Sequence, residues 1–321
     1  MKIDIPSVVT MFGLLPFLAS SVSAQQKEMR QVHLNVFRVD AAVVAAQARG
    51  LFASEGIAVK ITRTPNSTEQ MRGISKGSFH IASSAFDNVL AWSGKEGAEI
   101  VAVAQTTDKI VLPVFVRPEI KAWSDLKGKK LAVDAVDTAF ALVLRRILLA
   151  NGLDLKRGDY ELVPAGATGL RLESMTRGET FAGILNPPFD DKAVAAGLVR
   201  MGDHLSVLPH YPGGVLAVNR EWAKKNREVL VGFLRAWLAG MRWAKDPANR
   251  EEAIKMVAAD LKLSPKAAAG SVEELSANGS LNVPGLESVL SLRTQFGFTP
   301  PMGPAIATYY DLDYYRAAAG K

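Results

Sequence analysis

The chain has 321 residues, no cysteine and a formal net charge of +6 at pH 7, and its length suggests about two domains with cores of their own. Without cysteine, this chain has no thiolate nucleophile, no zinc–thiolate site and no lipid anchor on an N-terminal cysteine. The positive charge is dispersed, with no run of five or more lysines and arginines, so we predict no binding to nucleic acid.

The first 24 residues have the layout of a cleavable secretory signal. Lys2 stands near the start, and an apolar run covers residues 8–18. This run is too short for a transmembrane helix, which needs about 20 residues. Small residues at 22–24 precede Gln25. We predict cleavage after Ala24 and a monomer in the periplasm; the alternative is a buried N-terminal helix.

The next part of the chain alternates between β-branched stretches and helical stretches, which is typical of parallel strands flanked by helices. The predicted strands cover residues 32–37, 57–62, 79–83, 99–105 and 110–116. A helix is predicted at 41–52, and the capping-box spacing of Ser67 with Gln70 and of Ser84 with Asp87 predicts two further helix starts.

A second series of the same kind begins at Lys129. The predicted strands cover residues 130–134, 160–163 and 181–185, and the predicted helices cover 138–150, 168–177 and 187–196. A strand at 214–218 follows. From residue 221 to residue 296 the pattern predicts only helices, with Pro247, Pro265 and Pro284 near their starts.

These two series predict an α/β chain of two lobes, each a mostly parallel sheet flanked by helices, with the helical C-terminal part packed on lobe 1. The chain then crosses between lobes twice, near 110–113 and near 210–214, where proline and glycine permit a bend. We predict a signal peptide at 1–24, lobe 1 at 25–112 and 212–321, and lobe 2 at 113–211.

A ligand site is predicted where strands end and helices begin, because these ends meet at one edge of each sheet and free N–H groups of the helices attract polar groups. The residues that these junctions nominate are Arg38, Asp40, Ser83, Ser84, Phe86, Asp137, Thr138, Thr168 and Asn186. For Ser84, Asp137, Thr138 and Thr168 the alternative is a helix cap. Phe86 has core packing as its alternative, and Arg38 a solvated charge.

Charge at this site is expected to select the ligand. Arg38 and Asp137 are charged residues at facing junctions, one from each predicted lobe. A carboxylate beside an anionic ligand is costly unless it is paired, so we expect Asp137 to face Arg38, to accept a hydrogen bond from the ligand or to point away.

Signatures of catalysis are poor in the sequence, which has no GxGxxG, HExxH or Walker motif. His204 and His210 have no carboxylate-rich partner segment for a metal site. We therefore predict no enzymatic activity, no cofactor and no metal.

Several segments carry a family resemblance. Residues 45–57 contain "GLF" followed by "EGI", residues 73–82 end in "HIA", and residues 125–133 read DLKGKKLAV; residues 175–188 and Pro247 fit as well. With these segments the chain resembles the sulfonate/nitrate/taurine-type periplasmic binding proteins, also called the thiamine-pyrimidine-synthesis-like family. His80 departs from the family's usual Asp, and Asp137 from its small hydroxyl residues.

The resemblance implies a type II periplasmic-binding-protein fold and the solute-binding role of an ABC importer. It implies hinge closure on a small molecule (a sulfonate, nitrate, an organic acid or a heteroaromatic compound) and delivery to an inner-membrane ABC permease. It places ligand contacts at the junctions named above and adds Ala139.

Two alternatives are an enzyme of pyrimidine-precursor or desulfinase type on the same scaffold and a sensor that presents ligand to a membrane kinase. The missing cysteine disfavours a thiol-dependent desulfinase, and the export signal disfavours a cytosolic enzyme.

Overall fold

The computed structural model describes residue 1 and residues 29–137, 139–299 and 303–320. The signal peptide predicted at 1–24, apart from Met1, and the candidate site residue Thr138 therefore lie outside the described residues. Within the described residues, no helix is both long enough and apolar enough to span a membrane.

The strands and helices follow the predicted alternation closely. The strands are β1 (Arg30–Val36), β2 (Ile57–Arg63), β3 (Ile81–Ala85), β4 (Ile100–Gln105), β5 (Pro113–Val116), β6 (Lys129–Val133), β7 (Tyr160–Pro164), β8 (Ala182–Ile184), β9 (Val199–Asp203) and β10 (Gly214–Asn219). The helices are α1 (Ala41–Ala48), α2 (Leu51–Ser54), α3 (Ser67–Ser75), α4 (Phe86–Trp92), α5 (Ala139–Ala150), α6 (Thr168–Thr176), α7 (Phe189–Ala195), α8 (Arg220–Lys225), α9 (Arg227–Lys245), α10 (Arg250–Leu261), α11 (Pro265–Glu273), α12 (Val283–Gln295) and α13 (Asp313–Ala319).

The described strands form two five-stranded sheets. The first sheet has the order β2-β1-β3-β10-β4, and the second has the order β7-β6-β8-β5-β9. Strand β10 is antiparallel to both of its neighbours, and so is β5, whereas the other pairs are parallel. The predicted α/β fold is confirmed, with two mixed sheets flanked by helices.

The chain passes between the sheets twice. It leaves the first sheet after Gln105, enters the second at Pro113, leaves the second after Asp203 and returns to the first at Gly214. Residues at the carboxyl ends of parallel strands from both sheets line one cavity between them.

The helices after β10 cover the first sheet for the most part. Helices α9, α10 and α11 pack against α1, and α13 packs against α9 and β4. Helix α12 contacts α4 beside the first sheet and also α5 beside the second. The C-terminal part thus contacts the helices of both sheets.

Two helix starts differ from their prediction. Strand β3 extends to Ala85 and includes Ser84, so α4 begins at Phe86 and Ser84 is not its cap. The Ser84 hydroxyl instead accepts a hydrogen bond from the Asn88 side chain at 2.9 Å. Helix α3 is capped by Asn66, whose Oδ1 accepts from the backbone N–H of Glu69 at 2.8 Å. Asparagine and serine are comparably good caps, and sequence spacing alone does not distinguish adjacent ones.

Helices α1 and α9 cross at Gly240, where no side chain separates the two backbones. A Cβ atom at this position would lie 2.5 Å from the carbonyl oxygen of Ala42 and 2.8 Å from the amide nitrogen of Ala46. Because these are backbone atoms of a buried helix, the helices would have to move apart to admit it.

We expect Gly240→Ala to lower the free energy of unfolding by about 1–3 kcal/mol, as overpacking of a core does. Gly270→Ala is the matched control, since a Cβ in this α11 position meets no atom within 4 Å. It should raise stability by roughly 0.5–1 kcal/mol through helix propensity. Urea unfolding measures the free energy of unfolding of both variants. Equal changes in the two would contradict the close approach of α1 and α9 at Gly240.

Candidate functional site

A cavity of about 150 Å³ lies between the carboxyl ends of the two sheets. From the first sheet and its junctions, the described lining residues are Phe37, Arg38, Asp40, Ser83, Ser84, Ala85, Asn88, Thr106, Thr107, Gly213 and Gly214. From the second sheet they are Asp134, Ala139, Phe140, Thr168, Arg171 and Asn186, and the crossing segments add Ile110, Tyr211 and Pro212. Both sheets and both crossings therefore contribute to one cavity.

Most of the candidate residues predicted from the sequence meet at this cavity. Those that line it are Arg38, Asp40, Ser83, Ser84, Ala139, Thr168 and Asn186. Phe86 does not line it, because its side chain is buried in the core with 1% exposure. Asp137 lies on a separate surface groove beside α3.

The structure does not bring Arg38 and Asp137 together. Arg38 forms an ion pair with Glu274 and donates from Nη1 to the Ser271 hydroxyl at 3.1 Å. Asp137 instead lies 3.7 Å from the Lys95 ammonium. Of the three arrangements expected for Asp137, the structure shows the one in which it points away from Arg38, which pairs with Glu274 just past the end of α11. Selection of the ligand by these two charges stays a prediction.

Arg171 organises the cavity wall on the second sheet. Its side chain is buried, and Nε and Nη1 donate to the carbonyl oxygens of Ile184 and Gly166 at 3.1 and 2.7 Å. Its Nη2 donates to the Thr168 hydroxyl at 2.9 Å, and that hydroxyl donates to Asn186 Oδ1 at 2.8 Å. The guanidinium thus holds three segments of the wall together. Burial lowers the pKa of this guanidinium.

Sequence reasoning missed Arg171, although a usable signal was present. Arg171 follows Thr168 by three residues on α6, and residues at this spacing share one helix face. A helix that presents Thr168 to the cavity therefore also presents Arg171.

Asp40 serves as the N-cap of α1 at the opposite wall. Its Oδ1 accepts from the backbone N–H of Val43 at 2.8 Å. The side chain is fully buried, and burial raises its pKa, an effect that the Val43 N–H and the Trp237 side chain partly offset. The Val43 N–H bonds to Oδ1, the charge of Arg38 also opposes the rise in the pKa, and Oδ2 has no hydrogen-bond partner within the described residues.

Hydrogen bonds join the two sheets directly beside the cavity. Asp134, which follows β6, accepts from the Ser67 hydroxyl of α3 at 2.9 Å. The Ala167 N–H donates to the carbonyl oxygen of Pro65 at 2.8 Å. Burial raises the pKa of Asp134, and the charge of Arg171 opposes that rise. These hydrogen bonds connect the two sides of the cleft beside the cavity.

A buried ion pair links the start of α5 to the first sheet. Arg293 of α12 donates from Nη1 to Asp87 at 3.0 Å and to the carbonyl oxygen of Asp137 at 2.8 Å. Asp87 also accepts the backbone N–H of Ala139. Burial raises the pKa of Asp87 to about 6, even though Arg293 lowers it. The pair therefore fixes the position of the α5 start, which lines the cavity.

The side chains around the cavity can form hydrogen bonds with a ligand. Ser83, Thr106 and Tyr211 provide hydroxyl groups, and Asn186 provides an amide. In the described part of the chain, no cluster of three or more His, Asp or Glu side chains is placed to hold a metal ion.

Two mixed sheets that enclose a cavity and are joined by two crossing segments define the fold of the periplasmic binding proteins. The chain is similar to a Candida albicans protein described as having the generic periplasmic binding protein fold, at 13% identity and a TM-score of 0.69 over 88% of this chain and 96% of that one. It is also similar to the nitrate-binding protein NrtA from Synechocystis, at 11% identity and a TM-score of 0.75 over 91% of this chain and 89% of that one. A third similar structure is the alkanesulfonate-binding protein SsuA from Xanthomonas axonopodis bound to MOPS, at 15% identity and a TM-score of 0.70 over 88% and 98% of the two chains.

Residues 39–250 match the model of the NMT1/THI5 like family. The chain belongs to this family, which confirms the resemblance seen in the sequence. No curated protein matches the chain by sequence.

Proposed function

We propose that the chain is a periplasmic solute-binding protein that holds a small molecule between two lobes and delivers it to an ABC permease. The observation that carries this proposal is the cavity lined from both sheets. The similar structures are named as nitrate-binding and alkanesulfonate-binding proteins, one of them periplasmic, which supports a binding role and a location outside the cytoplasm.

The proposed lobes follow the sheets. Lobe 1 comprises residues 25–112 and 212–321, and lobe 2 comprises residues 113–211. A ligand that contacts both lobes stabilises the closed form because it loses half of its contacts when the lobes separate. The permease can then recognise the closed form.

The size of the cavity limits the ligand. About 150 Å³ is the volume of an engineered protein cavity that holds benzene, so the ligand in this closed form is a molecule of about that size. Larger ligands would require a more open arrangement.

We expect Ala85→Trp to abolish retention of the ligand. Ala85 ends β3 at the cavity, and an indole ring there would occupy most of its volume. The test exposes the protein to a bacterial small-molecule extract and measures retained compounds by native mass spectrometry. The wild type should retain one compound at a one-to-one ratio, and the variant should lose it, which corresponds to a loss of affinity of at least about tenfold, or about 1.4 kcal/mol.

Ala195→Trp provides the matched control, because Ala195 is exposed at the end of α7. This control should retain the compound as the wild type does. A wild type that retains nothing, or an Ala85→Trp variant that folds and still retains the compound, would contradict binding in this cavity.

A further inference from the structure

The cations at the cavity are already engaged by the protein. Among the described lining residues the positively charged side chains are Arg38 and Arg171. Each of the three guanidinium nitrogens of Arg171 donates to a protein acceptor. Arg38 is paired with Glu274. An anionic ligand would therefore find no uncommitted guanidinium among the described residues.

The carboxyl groups at the cavity make an anion still less favourable. Asp40 and Asp134 both line it and both are buried, and the charges of Arg38 and Arg171 offset the effect of that burial only in part. Burial raises the pKa of each, so the protein already disfavours negative charge at this place. With Arg38, Arg171 and Glu274 counted, two positive groups stand against three negative ones when all are ionised.

Two of the four helix starts at the cavity, those of α1 and α5, are also occupied by carboxyl groups. The positive end of α1 is capped by Asp40, and the first N–H of α5 is bonded to Asp87. A helix start that already holds a carboxylate attracts a second anion much less. The starts of α4 and α6 have no side-chain cap and can donate to a neutral acceptor such as a carbonyl oxygen, and α4 carries the Asp87 carboxyl in its first turn.

The other residues that line the cavity are uncharged. The Tyr211 hydroxyl is buried and has no hydrogen-bond partner within the described residues, and burial raises its pKa well above the usual value, so it stays protonated. The hydroxyls of Ser83 and Thr106 can donate or accept. Phe37 and Phe140 add an apolar surface from opposite sheets.

From these observations we infer that the cavity accepts a small uncharged molecule with both hydrogen-bond donors and acceptors, of the amide or alcohol type, and excludes anions. This inference rests on the proposed binding function and narrows it. It separates this chain from the similar structures that are named for nitrate and for an alkanesulfonate.

Pairs of molecules with nearly equal shape and different charge test the inference. The probes are benzamide with benzoate, methanesulfonamide with methanesulfonate, and urea with nitrate, titrated into the full mature chain by calorimetry at pH 7. We expect the uncharged member to bind at least tenfold more tightly in at least one pair, and the anion to bind more tightly in none.

Two variants test whether the preference for uncharged probes over anions depends on the buried carboxyl group of Asp40. Asp40→Asn keeps the capping oxygen and removes the charge, so the affinity ratio between the uncharged and anionic probes should narrow at least threefold. Asp260→Asn, which removes an exposed carboxyl on α10, should leave the ratio unchanged.

The outcomes separate the inference from the proposed function. If any anion binds more tightly than its uncharged counterpart, the inference is overturned while the binding function stands. If no probe binds, the inference is also overturned, and the retention experiment with bacterial extract decides whether the binding function falls with it. An unchanged ratio in folded Asp40→Asn would overturn the role of the buried charge.

Discussion

Arg293→Met is expected to lower the free energy of unfolding by about 3–5 kcal/mol at pH 8, as loss of one partner of a buried ion pair does. Both side chains of the Arg293–Asp87 pair are almost completely buried, with 4% and 0% exposure. The variant leaves the Asp87 carboxyl without the cation that opposes the rise in its pKa. Methionine fills much of the same volume, so the effect reports mainly on charge.

The loss should depend on pH in a defined direction. In the wild type the folded pKa of Asp87 is about 6, above its ordinary value of 3.8, so its contribution to stability is largest at low pH and decreases as the pH rises through about 6. In the variant the folded pKa is higher, so the decrease continues to higher pH. The difference between the two proteins should therefore be small at pH 5 and large at pH 8.

Urea unfolding at several pH values measures this difference. Arg316→Met is the matched control, because Arg316 is exposed and lies 3.4 Å from the exposed Asp313. Its effect should stay within about 0.5 kcal/mol at every pH. When both proteins also carry Asp87→Asn, the loss caused by Arg293→Met should no longer depend on pH. An equal loss at pH 5 and pH 8 would show that packing, and not charge, is responsible.

Arg171→Met, the second large effect, should lower the free energy of unfolding by about 3–5 kcal/mol, because it removes a buried cation that donates to three acceptors. The carbonyl oxygens of Ile184 and Gly166 would lose a donor, and Asp134 would lose the charge that opposes the rise in its pKa. We also expect the cavity wall to lose its order, so that ligand retention in the extract experiment fails.

Two further variants separate charge from geometry. Arg171→Lys keeps a positive charge but cannot reach all three acceptors, so its stability should lie between those of the wild type and the Met variant. Arg177→Met, at the exposed end of the same helix, removes an ion pair with Glu179 and should change stability by less than about 0.5 kcal/mol. Equal losses for Arg171→Met and Arg177→Met would contradict the assigned role.

The position of the site could be predicted from the sequence because it follows from chain direction. Parallel strands end at one edge of a sheet, so the junctions alone predict that residues such as Asp40 and Ser84, which are far apart in sequence, lie close together. Strand β9 was not predicted, because its sequence VRMGD has a single β-branched residue and a short exposed pattern.

Partners within the site could not be predicted, because they come from distant segments. From the sequence alone Arg171 would be expected at the surface, whereas in the structure it is buried and donates to the carbonyl oxygens of Ile184 and Gly166. Arg38 reads as a free charge until Glu274, more than 200 residues later, neutralises it. Such pairings depend on tertiary packing that periodicity and capping signals do not contain.

The insertion of β10 between β3 and β4 also has a consequence for synthesis. Strands β5 to β9 leave the ribosome one after another, so the second sheet has all its strands once Asp203 has emerged. The first sheet does not, since β3 and β4 are joined only through β10, which ends at Asn219. Until then, the facing edges of β3 and β4 are unpaired, and an unpaired strand edge can bind other chains. A chain that stops before residue 214 therefore has all strands of the second sheet but leaves two strand edges of the first sheet unpaired, and such a truncated chain is expected to aggregate.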